Sequence, residues 1–131
     1  MDHRIIQLPK ILDERGNLSF LQKNEQIPFT IQRVYWIYDV PGGERRGGHA
    51  YEKQHELIIA LSGSFEVVMF DGRKEERIVL NRSYYGLYVP PMIWRHMENF
   101  STNSVAFVVT DRSFDENDYI RDVNVFKAKI Q

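Results

Sequence analysis

Five residues in the middle of the chain, Gly43, His49, Tyr51, Glu56 and Gly63, stand in the spacing G-x5-H-x-Y-x4-E-x6-G. Side chains two apart on a strand share a face, so His49 and Tyr51 point the same way. Histidine titrates near pH 6.5 and can take up and return a proton at neutral pH. Tyrosine, titrating near 10, is a donor rather than a base unless a cation stabilises its phenolate, and Arg46 and Arg95 are candidates for that cation. The plainer alternative is that His49 and Tyr51 only satisfy polar groups inside a barrel.

The same spacing resembles the first cupin signature, G-x5-H-x-H-x3-4-E-x6-G, with Tyr51 where the second histidine ligand would stand. The second signature, P-x-G-x2-H-x3-N, can be laid on Pro90, Met92, Arg95 and Asn99, with Arg95 at the histidine. A divalent metal in such a barrel needs three or four converging His or carboxylate ligands. His49 and Glu56 are the two that remain, and arginine stays protonated and repels a cation. His55 and His96 each alternate away from the face of their neighbours Glu56 and Arg95. The expectation is therefore a metal-free acid–base site with no cofactor. Because both signatures frame His49, the functional reading is preferred over the plainer one.

The arginines add a second chemistry. Arg15, Arg33, Arg45, Arg46 and Arg95 fall near expected strand ends or on the candidate inner face. A guanidinium fork matches phosphate oxygens in bidentate geometry, which suits a diphosphate. Arg45, Arg73, Arg77 and Arg82 read as solvated surface charge, whereas Arg33 sits mid-strand between apolar neighbours. Lys74-Glu75-Glu76-Arg77 reads as a solvated run after a turn, and Trp94 as core. Asp111, Arg112, Asp115 and Glu116 resemble a paired-carboxylate motif without turn geometry to support it. Pro90-Pro91 leaves the cis or trans state open.

Elements must exist to hold these groups in place. With 131 residues, 43% hydrophobic and 13% aromatic, the chain is expected to form one domain over 1–131 around a single core. A net charge of −1 gives no reason to expect nucleic-acid or membrane-surface binding. The absence of cysteine removes disulfides and thiolate chemistry. No signal-like or membrane-spanning apolar run stands in the sequence, so a cytoplasmic protein is expected.

Short β-rich segments separated by turns predict an all-β jelly roll with a short C-terminal helix. Strands are expected at 5–8, 17–22, 31–38, 56–61, 65–70, 78–80, 84–89 and 105–110. Helix-like spacing runs over 116–130 through Tyr119, Ile120, Val123, Phe126 and Ile130. In the run 31–38, Arg33 and Tyr35 take one face and Val34, Trp36 and Tyr38 the other. The second face carries too many aromatics for a solvated sheet and calls for a cover, for which a homodimer is the natural candidate.

Several strings resemble the bacterial cupin-type nucleotide-sugar 3,4-ketoisomerases, over nearly the whole chain. They include Ile11-x-Asp13-x-Arg15-Gly16, Ile27-Pro28-Phe29-x-Ile31-x-Arg33-Val34-Tyr35 and Arg46-Gly47-x-His49-Ala50. Gly86-Leu87-Tyr88-Val89 and Asp115-Glu116-x-Asp118-Tyr119-Ile120-Arg121 follow. The resemblance implies a metal-free jelly-roll homodimer with exchanged N-terminal strands, acting on a dTDP-linked keto-deoxysugar for surface polysaccharide synthesis. It implies that His49 is the family's first active-site histidine and that Arg33, Tyr35 and Arg46 are pocket positions. Arg15 would lie in the matching early turn, and Arg95 at a position that varies between histidine and arginine. Many members carry His-Ala-His where this chain has His49-Ala50-Tyr51. Three readings stand side by side: a 3,4-ketoisomerase with His49 and Tyr51 as proton carriers, a related epimerase, and a catalytically silent sugar-nucleotide binder.

Overall fold

The computed structural model describes residues 1–23 and 25–131. In chain order the strands are β1 (Arg4–Gln7), β2 (Lys10–Ile11), β3 (Leu18–Ser19), β4 (Arg33–Tyr38), β5 (Arg46–Tyr51) and β6 (Glu56–Ser62). They continue as β7 (Phe65–Phe70), β8 (Glu75–Leu80), β9 (Tyr85–Val89), β10 (Trp94–Glu98), β11 (Val105–Thr110) and β12 (Tyr119–Ile120), before helix α1 (Val123–Lys129). Two five-stranded antiparallel sheets, ordered β1-β9-β6-β11-β4 and β12-β5-β10-β7-β8, form the cupin-like double-sheet barrel, with the β2–β3 hairpin apart from both.

The inner faces follow from register. Across β11, Thr110, Val108 and Ala106 pair with Arg33, Tyr35 and Ile37 of β4 on one side. On the other side they pair with Glu56, Ile58 and Ala60 of β6. In the second sheet, Arg95 of β10 lies opposite both His49 of β5 and Met69 of β7. The barrel is therefore apolar at one end, around Phe65, Met69, Leu80 and Leu87, all 0–1% exposed. The other end carries the polar residues of both sheets. A fully buried Leu or Ile contributes about 1.5–3 kcal/mol, so the apolar end carries the stability and leaves the polar end free for function.

Two glycines are required by geometry. Gly63 turns β6 into β7 at φ +66°, and a Cβ there would lie 2.8 Å from the Ser104 Cα. Gly47 sits at φ +102° beside the β10 irregularity between Arg95 and His96, with a built Cβ 3.1 Å from the His96 Cα. That close approach lets β5 run against the bulged strand and aims Arg95 inward.

The outer face of the first sheet has a cover of its own over part of its area. Leu8, Ile27 and Phe29 pack on Leu57, Ile59, Tyr88 and Val109 as a second core. The rest stays open: Val34, Trp36, Tyr38 and Leu61 are 43–61% exposed. The β2–β3 hairpin projects with Ile11, Leu12 and Leu18 at 54–71% exposure.

Three expectations need correction. The strand expected over 17–22 is reduced to Leu18–Ser19, both exposed, while Leu21 leaves the ladder to pack on the second core. The charged run 74–77 is not merely solvated: β8 begins at Glu75, which pairs with Phe70 of β7, and Arg77 bridges Glu66 and Glu98 across the sheet. The helix expected over 116–130 covers only Val123–Lys129. Asp122 caps it, accepting from Asn124 N at 2.7 Å, while Glu116–Asp118 is a 3-10 turn and Tyr119–Ile120 a strand. Pro90-Pro91 is trans. No helix among the described residues is long and apolar enough to cross a membrane.

Candidate active site

A cavity of about 420 Å³ opens at the polar end of the barrel. Tyr35 and Ile37 of β4 form one wall, and Arg46, Gly47 and His49 of β5 the opposite one. Met97 of β10 and Tyr119 of β12 close the interior, and Arg45 and Arg121 stand at the rim with Arg46. A larger hollow of about 580 Å³ lies on the outer sheet face against Trp36, Tyr38, Leu61 and Phe107. Its lining is mostly apolar and holds no histidine or arginine, whereas the smaller cavity carries His49 and three arginines.

His49 is half-buried and meets two phenols edge-on. Its ring centroid lies 4.9 Å from that of Tyr51 at 72°, and 5.3 Å from that of Tyr119 at 61°. The two tyrosine rings are 4.6 Å apart. Strand geometry explains the cluster: Tyr51 follows His49 on the same face of β5, and Tyr119 pairs directly with Tyr51 across β12. Tyr51 is 1% exposed and lies behind the wall, whereas Tyr119 is part of it.

Beneath them, Arg95 carries a buried charge. Its guanidinium carbon stands 4.9 Å over the Tyr51 ring, and its Nη1 lies 3.6 Å from Oε1 of Glu56. Gln54 Nε2 donates to the other Glu56 oxygen at 3.1 Å. The positions of the barrel's metal signature thus converge in space, but the fourth, Arg95, is filled by a fixed cation.

Burial and this charge set the protonation of the site. Burial first, then Arg95 and Arg121, lower the His49 pKa to about 3, so the imidazole is neutral and its lone pair free. Burial first, then the Glu56 carboxylate, push both Tyr35 and Tyr51 far above the usual phenol range. These phenols are proton-bearing donors at neutral pH. The Tyr51 hydroxyl has no partner in hydrogen-bond geometry among the described residues and is flanked by the Tyr35 and Tyr119 side chains.

The structure gathers most of the residues singled out from the sequence. His49, Tyr35 and Arg46 line the cavity, and Tyr51 and Arg95 form the layer behind it. Arg33 lies outside the lining, its guanidinium carbon 5.1 Å over the Tyr35 ring and 5.6 Å over that of Phe114. Arg15 is not gathered: its side chain is 90% exposed at the hairpin tip and pairs with Asp13 at 2.9 Å. Arg45 is a solvated charge, 67% exposed, that stands on the cavity rim with its Nε 3.0 Å from Glu98. Tyr119 and Arg121 were not singled out as site residues. Their placement depends on a two-residue strand whose pairing leaves no periodic signal in sequence. The paired-carboxylate motif has a structural use. Asp111 accepts from His55 N at 2.9 Å, and Asp115 caps the 3-10 turn.

A double-sheet cupin barrel whose metal-signature positions hold a neutral histidine, a tyrosine and an arginine, under an arginine-lined mouth, defines the class. The family model described as "FdtA: WxcM-like, C-terminal" matches residues 1–131, and the chain belongs to that family. The TDP-4-oxo-6-deoxy-alpha-D-glucose-3,4-oxoisomerase of Aneurinibacillus thermoaerophilus is 41% identical over 130 residues, spanning 99% of this chain and 94% of that protein. A 3,4-ketoisomerase from Helicobacter canadensis superposes with a TM-score of 0.96 at 38% identity, over 99% of this chain and 98% of its own. A His-to-Asn mutant of the 3,4-ketoisomerase QdtA from Thermoanaerobacterium thermosaccharolyticum, solved with TDP-4-keto-6-deoxyglucose, superposes with a TM-score of 0.97 at 32% identity. That match covers 98% of this chain and 94% of that one.

Proposed function

We propose that the protein is a nucleotide-sugar 3,4-ketoisomerase that moves the keto group of a dTDP-4-keto-6-deoxyhexose from C4 to C3 by acid–base catalysis. The observation that carries this reading is the neutral His49 beside proton-bearing phenols in a cavity rimmed by Arg45, Arg46 and Arg121. His49 takes the C3 proton, which the adjacent C4 carbonyl acidifies, and the electron pair moves through C3–C4 onto the C4 oxygen. The resulting enediol(ate) is reprotonated at C4, and the C3 hydroxyl gives up its proton to leave a ketone. The starting and final sugars have the same composition, so the sequence of proton transfers balances without an oxidant.

The rim arginines grip the diphosphate, and Tyr35, with Arg33 stacked behind its ring, forms one side of the sugar pocket. Tyr51 packs its ring behind the proton-carrying wall, against His49 and Tyr119, and the Arg95 guanidinium lies beneath that ring. A homodimer suits the open apolar face of Val34, Trp36 and Tyr38 together with the projecting hairpin. Since β1 pairs with β9 of its own chain, the element free to cross to a partner is β2–β3, and Arg15 at its tip would then act on the partner's substrate. The enzyme would act in the cytoplasm.

The test is incubation with dTDP-4-keto-6-deoxyglucose in D2O, followed by NMR of the sugar protons. Keto migration that His49→Asn abolishes and chelators leave untouched is the expected result. Deuterium entering C3 or C5 without migration would select an epimerase, and saturable dTDP binding with no exchange would select a silent binder.

A further inference from the structure

We infer that Tyr119 is the phenol that exchanges protons with the sugar oxygens, and that Tyr51 is a positioning residue behind it; the assignment rests on the isomerase reading above. Two observations separate the tyrosines. Tyr119 forms part of the cavity wall, while Tyr51 is 1% exposed and reaches the cavity only through its neighbours. A group that protonates an oxygen must come within hydrogen-bond reach of it, so exposure to the cavity decides the role.

Tyr119 is also held as a reacting group must be. Arg121 places its guanidinium carbon 4.1 Å over the Tyr119 ring, and Glu116 clamps that arginine through Nε at 2.7 Å and Nη2 at 2.9 Å. On the chain before it, the buried Asp118 carboxylate accepts from the amides of Lys53 at 2.9 Å and Gln54 at 3.0 Å. On the chain after it, Ile120 is buried against Ala50 and Phe126. The two-residue strand β12 is thus pinned on both sides of the tyrosine. Its ring stands 5.3 Å from His49, so one sugar carbon can meet the imidazole while the adjoining oxygen meets the phenol.

The proton transfers then close on two residues. His49 accepts the C3 hydrogen as Tyr119 gives its hydroxyl proton to the C4 oxygen, forming the enediol and a phenolate. The phenolate takes the proton of the C3 hydroxyl as the C3 carbonyl forms, and the imidazolium returns a proton to C4. Both residues end as they began. Tyr51, between Tyr35 and Tyr119, holds the Tyr119 ring at its angle to His49.

The experiment compares Tyr119→Phe and Tyr51→Phe with the wild type, using dTDP-4-keto-6-deoxyglucose in D2O. Phenylalanine keeps each ring and removes only the hydroxyl, so a ring needed just for packing would leave turnover unmoved. Tyr119→Phe should lower kcat about 10²- to 10⁴-fold with KM and dTDP affinity nearly unchanged. Tyr51→Phe should lose less. Turnover by Tyr119→Phe at the wild-type rate, or a greater loss in Tyr51→Phe than in Tyr119→Phe, overturns the assignment while leaving the isomerase standing. A wild-type protein that neither migrates the ketone nor exchanges a sugar proton overturns both.

Discussion

Nη1 of Arg95 lies 3.6 Å from Oε1 of Glu56, with the two side chains 1% and 2% exposed. They come from opposite sheets and meet where the cupin signature would gather metal ligands. A guanidinium therefore supplies a fixed positive charge at the floor of the barrel. That charge lowers the basicity of His49 and stands over the ring of Tyr51.

Removing one member of this pair should cost far more than removing both. Glu56→Gln leaves the Arg95 charge buried and uncompensated, an error of about 3–5 kcal/mol in comparable sites. Glu56→Gln combined with Arg95→Met should recover much of the loss. Urea unfolding of the two variants and the wild type gives the comparison. A loss below about 1 kcal/mol in Glu56→Gln would mean that the pair does not act as a unit.

His49 makes a pH prediction with a definite sign. Its folded value is lowered from 6.5 to about 3 by burial and by Arg95 and Arg121. Between those limits the unfolded chain binds a proton that the folded chain refuses. The stability present above about pH 6.5 is therefore lost as pH falls toward 3. His49→Asn should lack that slope, as followed by unfolding midpoints from pH 7 to pH 4. An unchanged slope in the variant would assign it to other groups.

The same causes connect binding to catalysis. A diphosphate laid against Arg121 cancels part of the field that depresses His49, so dTDP should raise the imidazole pKa toward neutrality. Titration of the His49 ring by 15N NMR with and without dTDP measures the shift. Arg121→Ala should raise the value without ligand, and no movement in either experiment would refute the link.

The hairpin makes the oligomer testable through Arg15. His49→Asn and Arg15→Ala should each be nearly inactive alone. If Arg15 serves the partner's cavity, a refolded mixture regains one intact site per mixed dimer, or about a quarter of full activity at random pairing. Trp36→Glu should abolish both the dimer in light scattering and this recovery. No recovery from the mixture would leave Arg15 acting within its own chain.

Much of this protein is legible along the chain. Alternation in Arg33–Tyr38 assigns inner and outer faces, and the spacing from Gly43 to Gly63 locates the histidine and marks the barrel type. Both are local patterns, set by the two-residue period of a strand and by turns that only glycine makes readily. The resemblance strings bring Tyr35, Arg46 and His49 to one cavity. What the sequence could not rank is the pair of tyrosines. Tyr51 looks exposed to chemistry because it is two residues from His49, yet it is the long-range pairing of β12 with β5 that covers it and puts Tyr119 on the wall. Likewise Arg95 reads as a lost ligand until the two sheets close and bring Glu56 to it. Tertiary structure decided these points because each depends on contacts across strands distant in sequence, where burial and a neighbour's charge, rather than residue type, fix what a side chain can do.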